Sequence, residues 1–272
     1  MRLWGALLLL LATLTAACTQ SPAAQSTPRH VFVIVMENHT PEQALSGPFM
    51  ASLAAKYRTA DNYHAITHPS VPNYLAITSG STWNVTDDSY YSLPKQDLGT
   101  QLTDAGVSWK AYMEGLDPAA GCIDSPVPYD PGHNPFAYYG GQCPPNVVPL
   151  TSLAADLAGD PPTFIWITPD QCHDTHNCEV SVGDEWLRGQ VGQIMDSAAW
   201  KKDGVLFITY DEDDYAEDTR VLMVVASPGM SHKTSSRRYD HYSLLATIED
   251  LLGVGRLGQA KKAQAMTDLI DM

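Results

Sequence analysis

The sequence predicts an α/β protein whose central sheet is mostly parallel and carries helices on both faces. Apolar, β-branched runs recur along the chain, for example at residues 30–36 and 204–210, and such runs are typical of strands buried on both faces. Segments with helical periodicity alternate with these runs, which favours parallel pairing. The runs also end abruptly in acidic residues, and a parallel sheet brings such strand ends together at one edge.

The chain begins with a predicted signal peptide, residues 1–17. It has a positive start at Arg2, an apolar run over residues 7–14 and a small-residue end. Cys18 follows two alanines, as in a bacterial lipobox, so we predict lipidation of Cys18, with plain secretion as the alternative. Residues 18–28 are rich in Ser, Pro, Ala and Gln and are predicted to be a flexible tether. The protein is therefore expected to be exported, as a cell-envelope lipoprotein or in secreted form.

Residues 29–272 are long enough for one large domain with a substantial core. The formal net charge is −15, which argues against nucleic-acid binding because no basic stripe is available to replace counterions. Membrane contact is expected only through a lipid at Cys18. The sequence does not indicate an oligomeric state.

The elements follow in order from periodicity and from punctuation by Gly, Pro and polar residues. Strands are predicted at residues 30–36, 107–113, 163–168, 204–210 and 220–226. Helices are predicted at residues 49–57, 98–105, 150–157, 183–199 and 242–252, the fourth because its apolar residues fall on one face. Residues 117–149 lack periodicity, and an insertion of this length in a compact domain is usually functional.

Four cysteines remain once Cys18 is assigned to the lipid, and export with an even count indicates two disulfides. Local pairing, Cys122 with Cys143 and Cys172 with Cys178, is the simplest of the three possible arrangements. A zinc cluster is the alternative, although no C-x-x-C spacing is present.

Residues 67–80 contain a polar, proline-rich start followed by an apolar patch that fits a short helix. Ser70 is predicted to be the N-cap, with Pro72 in the first turn. The hydroxyl would then lie among free backbone N–H groups, where a phosphate can bind, and the Asn73 amide would point to the same anion. The alternative is that Ser70 only caps an ordinary helix.

Acidic and imidazole groups follow three of the predicted strands. Glu37 and Asn38 end the first, Asp174 and His176 follow residues 163–168, and Asp211-Glu212 ends residues 204–210. Such a cluster, with His241 also available, needs a cation because like charges repel. Mixed oxygen and nitrogen ligands suit zinc, manganese or iron, and a carboxylate-rich set suits magnesium or calcium. The cation would serve hydrolysis or only structure.

Taken together, the motifs resemble the bacterial phosphoesterase family of secreted acid phosphatases and C-type phospholipases, within the alkaline-phosphatase-like superfamily. The chain is most similar to compact secreted acid phosphatases of the SapM type. The resemblance covers almost the whole mature chain and rests on residues 35–38, 67–76, 167–169 with 174–176, 183–187, 208–213, and 241–245 with 247–250.

The resemblance implies a serine nucleophile and one or two divalent metal ions. It places Ser70 at the nucleophile position, with Asn73 contacting the phosphoryl group. The implied metal ligands are Glu37, Asn38, Asp174, His176, Asp211, Glu212 and His241. Glu212 stands where the superfamily often has histidine, which favours a single ion over a di-zinc pair.

The expected function is hydrolysis of a small phosphomonoester through a phosphoseryl intermediate. A phosphodiesterase or phospholipase C with the same site is the alternative enzyme, and a non-catalytic ligand-binding lipoprotein is the alternative of another class. Proton donors to the leaving oxygen are sought among His68, His173 and His176. In contrast, His64 and His133 are expected to be surface or internally satisfied histidines, and residues 213, 214 and 217 a solvated loop.

Overall fold

The computed structural model describes Met1, residues 29–215 and residues 218–270. Apart from Met1, the predicted signal peptide and tether lie outside the described residues. Among the residues described, no helix has the length and apolar character needed to cross a bilayer.

An eight-stranded, mostly parallel sheet forms the centre of the fold, with strand order β5-β4-β6-β1-β7-β8-β2-β9. A separate two-stranded ribbon pairs β3 with β10. The strands are β1 Val31–Met36, β2 Arg58–Ala60, β3 Tyr63–His64, β4 Trp109–Met113, β5 Val147–Pro149, β6 Phe164–Thr168, β7 Val205–Tyr210, β8 Met223–Ala226, β9 Lys233–Ser235 and β10 Tyr239–Asp240.

The central strand β1 explains why helices cover both faces of this sheet. Each of its six residues is buried, and consecutive strand side chains point to opposite faces. It pairs in parallel with β6 on one side and β7 on the other. A strand that is apolar throughout must therefore have a packed layer above and below, which is the predicted fold class.

The helices begin and end at recognisable residues. They are α1 Pro41–Ala44, α2 Pro48–Lys56, α3 Ser70–Ser79, α4 Leu98–Asp104, α5 Gly121–Asp124, α6 Leu153–Ala158, α7 Val180–Asp196, α8 Ala198–Asp203 and α9 His241–Leu252. Helix α3 packs on α9, whereas α2 packs on α7. Gly80 ends α3 with φ +70°, and a Cβ there would come within 2.7 Å of the Leu257 carbonyl oxygen. A glycine is therefore required at this helix end.

Two details differ from the sequence-based expectation. The predicted strand at residues 220–226 forms β8, which is antiparallel to β7 and β2. The described residues between β7 and β8 include no helix that could serve as the crossover of a parallel pair. The predicted helix over residues 183–199 is two helices, since Ser197 ends α7 and its side chain caps α8 by accepting from Trp200 N. The short strands β2, β3, β5, β9 and β10 are too brief to show periodicity.

Both disulfides join cysteines that are near in sequence. Cys122 is bonded to Cys143 and Cys172 to Cys178, which is the pairing that the sequence favoured. The first closes the long insertion, and the second closes the loop that carries Asp174.

Candidate active site

The carboxyl ends of β1, β6 and β7 meet at one edge of the sheet, as predicted. Glu37 follows β1 directly, and its backbone N–H donates to the Asp174 carbonyl at 2.9 Å. On the other side, Asp211 N–H donates to the Met36 carbonyl at 3.0 Å. These backbone bonds continue the sheet beyond its strands and bring the three carboxylates to one place.

Helix α3 delivers Ser70 to this edge, but the capping prediction was wrong. Ser70 is the first helical residue, and Pro69 occupies the N-cap position. The next N–H, that of Val71, donates to Asp88 Oδ1 at 3.0 Å. A carboxylate from the following loop thus occupies part of the helix start, where the sequence predicted a bound anion.

The Ser70 hydroxyl faces carboxylates instead. Ser70 is buried, and its Oγ donates to Glu37 Oε2 at 3.1 Å, with Glu212 Oε1 3.5 Å away. Tyr74, one helical turn later, donates its hydroxyl to Glu37 Oε1 at 2.7 Å. A serine held between two buried carboxylates has the surroundings that a serine nucleophile needs, with oxygen atoms in reach of its proton.

Asn73 fixes the loop before the helix. Its Oδ1 accepts from the backbone N–H groups of Ile66 and Thr67, and its Nδ2 donates to the carbonyls of Thr67 and Pro69. Nδ2 also lies 3.3 Å from Glu212 Oε2. The amide therefore orients the start of helix α3 and Glu212, rather than being left free for a substrate.

His133 lies in the middle of the site, so the expectation of a surface or loop-satisfied histidine was wrong. Its Nδ1 is 3.1 Å from Asp174 Oδ2, and its Nε2 is 3.3 Å from Glu37 Oε1. Its ring stacks on Tyr74 with centroids 5.4 Å apart. The ligand atoms of Glu37, His133 and Asp174 lie within 4.8 Å of one another, and all three residues are buried.

The one sequence feature that could have drawn attention to His133 is its place in the long insertion, residues 117–149. The Asp130 side chain accepts from Gly132 N–H and starts a short turn that places the imidazole. Nothing in the local sequence distinguishes this histidine from one on the surface, and only the fold carries it about a hundred residues back to Glu37.

Like charges in this site strongly perturb its carboxyl groups. Burial and the charges of Asp211 and Asp174 hold the pKa of Glu37 well above its usual range. Burial, partly offset by His133, raises the pKa of Asp211 to about 7, and burial with Asp211 and Asp88 raises that of Glu212 to about 9. Burial opposes protonation of His133, yet its bond to Asp174 leaves the pKa raised. A bound cation would relieve this repulsion.

The two carboxylate oxygens of Asp211 give the most direct indication of a cation. Both are buried, and neither has a hydrogen-bond partner of good geometry among the described residues, although Ser70 and Glu37 lie beside them. Buried carboxylate oxygens are expensive to leave without donors. Oxygen ligands from Glu37, Asp174 and Asp211 with a nitrogen of His133 fit a divalent metal ion.

His68 and Asp213 form the other wall of the site. His68 Nδ1 is 3.1 Å from Glu212 Oε2, and its Nε2 is 2.8 Å from Asp213 Oδ1. Asp213 is fully buried, so its assignment to a solvated loop was wrong. Asp214 is exposed as expected, and Glu217 lies outside the described residues.

His241 is buried behind Asp211. Its Nδ1 accepts from the Tyr63 hydroxyl at 2.9 Å, and its Nε2 donates to the Asp211 carbonyl. Burial lowers the pKa of His241 to about 4, which fits a neutral ring. Both ring nitrogens are therefore engaged in hydrogen bonds. His241 supports the backbone of Asp211, and its assignment as a metal ligand does not fit this arrangement.

Asn38 and His176 lie at the margin. The Asn38 carbonyl accepts from His39 Nδ1 at 2.8 Å, and the Asn38 side chain is half-buried without a described bond to the carboxylates. His176 is exposed, with its ring centroid 6.0 Å from that of His133 and its Nδ1 2.9 Å from Asn177 Oδ1. His176 is thus near the residues that could hold a metal, and its Nε2 has no partner among the described residues.

His173 belongs to a different cluster with Glu114 and Asp170. Its Nδ1 is 2.9 Å from Glu114 Oε2, while Glu114 Oε1 accepts from Trp186 Nε1 at 3.1 Å. His64 is satisfied by the Asp218 carbonyl and Asn62. The structure therefore separates these two histidines from Ser70 by different hydrogen-bond networks.

Comparison with known proteins supports the relation between this site and phosphoryl chemistry. A family model described as the phosphoesterase family matches residues 22–255. The chain is 29% identical to a phosphatidylinositol-3-phosphatase of Mycobacterium tuberculosis, over 96% of the chain and 90% of the relative. It is 25% identical to an acid phosphatase of Aspergillus fumigatus over 84% of the chain, and spans 56% of that relative. A phosphate-repressible acid phosphatase of Penicillium chrysogenum is 26% identical, with 83% of the chain and 59% of the relative covered.

The fold is similar to that of solved structures at low sequence identity. A protein in the alkaline phosphatase superfamily from Vibrio parahaemolyticus gives a TM-score of 0.64 at 12% identity, covering 89% of this chain and 70% of that one. A phosphonate monoester hydrolase of Agrobacterium radiobacter gives 0.59 at 12% identity, covering 89% and 77%. At such identities the likeness establishes the alkaline-phosphatase-like fold alone.

Proposed function

Since the chain belongs to the phosphoesterase family and is a hydrolase of phosphoric ester bonds, we propose that it is a metal-dependent phosphomonoesterase with Ser70 as nucleophile. The observation that carries this proposal is the Ser70 hydroxyl held at 3.1 Å from Glu37 in a buried cluster of carboxylates. The acid phosphatases among its relatives, and the relative named for a phosphoinositide 3-phosphate, act by name on phosphate monoesters. The fungal relatives are much longer, so their substrates are not transferred.

The residues that would hold the metal are Glu37, Asp174, Asp211 and His133, with Glu212 and His176 at the margin. This donor set suits a divalent ion of the zinc, manganese or iron type more than calcium, because an imidazole replaces one oxygen. When bound, such an ion polarises the phosphoryl oxygens and favours the ionised form of a nearby hydroxyl. One ion is compatible with this set, and a second would draw on Glu212 and Asp213.

The chain's own groups prepare the attack. Helix α3 and the Asn73 bonds fix Ser70 in position. Glu37 or Glu212, whose raised pKa values a bound cation would lower, receives the Ser70 proton as the Oγ–phosphorus bond forms. The bond from phosphorus to the ester oxygen breaks at the same time, which leaves a phosphoseryl enzyme and an alcohol. Water then attacks the phosphoserine and releases phosphate, so that Ser70 regains its proton.

The leaving oxygen needs a proton from a histidine. His68 lies beside Glu212, and His176 is exposed with its Nε2 facing no described partner. A variant lacking the proton donor should lose more activity on an alkyl phosphate, whose leaving alcohol is a strong base, than on p-nitrophenyl phosphate. Comparison of His68→Gln with His176→Gln on both substrates assigns the role.

The test of the proposed function begins with substrates and metal. Hydrolysis of p-nitrophenyl phosphate in preference to bis-p-nitrophenyl phosphate, lost in EDTA and restored by added metal, is the expected result. Preference for the diester would make the protein a phosphodiesterase, and activity on neither would favour a ligand-binding protein. Ser70→Ala should lower turnover by at least about a thousandfold while leaving the circular dichroism spectrum unchanged, and Ser79→Ala on the same helix should stay active. Full activity in Ser70→Ala would exclude Ser70 as the nucleophile.

We also propose that the protein works outside the cytoplasm. Two disulfides close local loops, and disulfides persist mainly in oxidising compartments. Metabolic labelling with a fatty acid would separate the two forms, since only a lipoprotein would incorporate label at Cys18.

A further inference from the structure

Tyr215 presents an open aromatic face next to the candidate active site. The residue is 65% exposed, an unusual state for a tyrosine beside a buried cluster. Its ring stacks on that of His68 with centroids 4.3 Å apart and an interplanar angle of 15°. One face of Tyr215 is therefore covered by the imidazole, and among the described residues no other ring stacks on the second face.

The His68 ring links Tyr215 to the nucleophile. His68 Nδ1 lies 3.1 Å from Glu212 Oε2, and the other oxygen of this carboxylate lies 3.5 Å from Ser70 Oγ. One imidazole and one carboxylate thus separate the tyrosine ring from the serine hydroxyl. An ester whose phosphorus meets Ser70 therefore has His68, with Tyr215 stacked on it, along the side of the site that Glu212 lines.

The backbone at Tyr215 indicates that this placement is held against a local cost. Its φ is +65°, a left-handed conformation that residues other than Gly, Asn and Asp seldom adopt. Strained residues of this kind tend to cluster at functional sites, where surrounding contacts maintain them. Here the residue with the strained backbone carries an aromatic ring that is exposed and stacked on His68.

The charges near Tyr215 restrict what it can bind. The carboxylates of Glu212 and Asp213 both contact His68, on which Tyr215 stacks, so the surroundings are acidic. A leaving group with a second phosphate or carboxylate would be repelled at this side. An uncharged, flat group would lose little and gain the stacking contact.

We propose that Tyr215 is a specificity-determining residue that stacks on the leaving group of the ester, so that the enzyme prefers uncharged aryl phosphates to alkyl phosphates. The inference rests on the proposed phosphomonoesterase function and extends it to a substrate class. Tyr215 acts in binding the alcohol portion and takes no part in the covalent steps.

The test compares phenyl phosphate with glycerol 2-phosphate in the metal-loaded protein. For each variant, the ratio of kcat/KM on the two substrates is divided by the wild-type ratio, which cancels the intrinsic reactivity of the esters. Tyr215→Leu retains bulk without the flat ring and should lower the ratio about three- to tenfold. In contrast, Tyr215→Phe should stay within about twofold.

Tyr91→Leu is the matched control because Tyr91 is also an exposed tyrosine. Its hydroxyl donates to Asp87, and its ring has no described stacking contact with His68. Its ratio should equal that of the wild type. An unchanged ratio in Tyr215→Leu, or an equal fall in Tyr91→Leu, would overturn the stacking proposal while phosphatase activity stands. Absence of wild-type activity on both esters would instead overturn the proposed function, and this inference with it.

Binding to the Ser70→Ala protein gives a readout that does not depend on turnover. Phenylphosphonate should bind more tightly than methylphosphonate in calorimetry. When Tyr215→Leu is added to Ser70→Ala, the ratio of the two dissociation constants should move about three- to tenfold closer to one. Equal affinities for the two phosphonates in the Ser70→Ala protein that retains Tyr215 would contradict the proposal.

Discussion

Glu37→Gln should change stability in opposite directions with and without metal. The ligand atoms of Glu37 and Asp174 lie within 4.8 Å of each other, and two unit charges at that distance repel by about 3.5 kcal/mol at an effective dielectric constant of 20. This value is an upper limit for the metal-free protein, because the raised pKa of Glu37 favours uptake of a proton. Glutamine removes this repulsion while keeping one acceptor for the donors Ser70 and Tyr74. Loss of the other acceptor costs about 1 to 2 kcal/mol.

In EDTA the variant should therefore be more stable than the wild type by about 1 to 2 kcal/mol. At about 2 to 4 °C per kcal/mol, the midpoint of thermal unfolding should rise by roughly 2 to 8 °C. With metal at a thousand times its dissociation constant, the wild type gains about 4 kcal/mol from binding. A variant that binds a hundredfold more weakly gains only about 1.4 kcal/mol, so the wild type becomes the more stable protein.

The assay is thermal unfolding followed by circular dichroism, in EDTA and in saturating metal, with bound metal measured by elemental analysis. Glu114→Gln is the control, since Glu114 also bonds a histidine but lies in the separate cluster with His173. It should lower the midpoint equally under both conditions. An equal fall for Glu37→Gln in EDTA and in metal would refute the argument that Glu37 is a repelled carboxylate awaiting a cation.

The remaining predictions address groups that sequence reasoning missed or left open. His133→Ala should lower metal affinity and reduce kcat/KM by about a hundredfold or more, because Glu37 and Asp174 then face each other without the imidazole between them; retention of both metal and activity would remove His133 from the site. Burial raises the pKa of Glu249 from 4.5 to about 8, so the folded state keeps a proton that the unfolded state releases, and stability should fall by up to about 4 kcal/mol as pH rises from 4.5 to 8. Glu249→Gln should flatten that part of the stability profile in urea titrations, and an identical slope in the variant would show that another group is responsible. Replacement of Cys172 and Cys178 by serine should cost about 2 kcal/mol by loop entropy, yet lower metal affinity well before the domain unfolds, because the bond closes the loop that carries Asp174; unchanged metal affinity would limit the bond to a stabilising role.

The sheet could be predicted because its central strands are unambiguous in composition. β1 is apolar along its whole length, and β6 and β7 are apolar except for one threonine each. Such composition is typical of strands buried on both faces. The direction of β8 could not be predicted in the same way. Its residues are as apolar as those of β7, and strand direction depends on the connection and the neighbouring strand rather than on the strand's own residues.

The residues of the candidate site also fall into those that the sequence predicts and those that only the fold places. The sequence by itself determined that Glu37, Asp174 and Asp211 meet, because each follows a parallel strand and strand ends share an edge. It also indicated a short helix starting near Ser70, and the family resemblance implied that this helix lies beside them. Only the tertiary structure decided that Asp88 takes part of the helix start, that Asp213 is buried against His68 and that His133 completes the cluster.

The physical reason is the range over which each signal acts. Periodicity and capping are local, so they fix elements and the residues at their ends. His133 reaches Glu37, and Tyr215 reaches His68, through loops whose course depends on packing against the finished sheet. Contacts of that kind leave no pattern in neighbouring residues, and the fold alone places them.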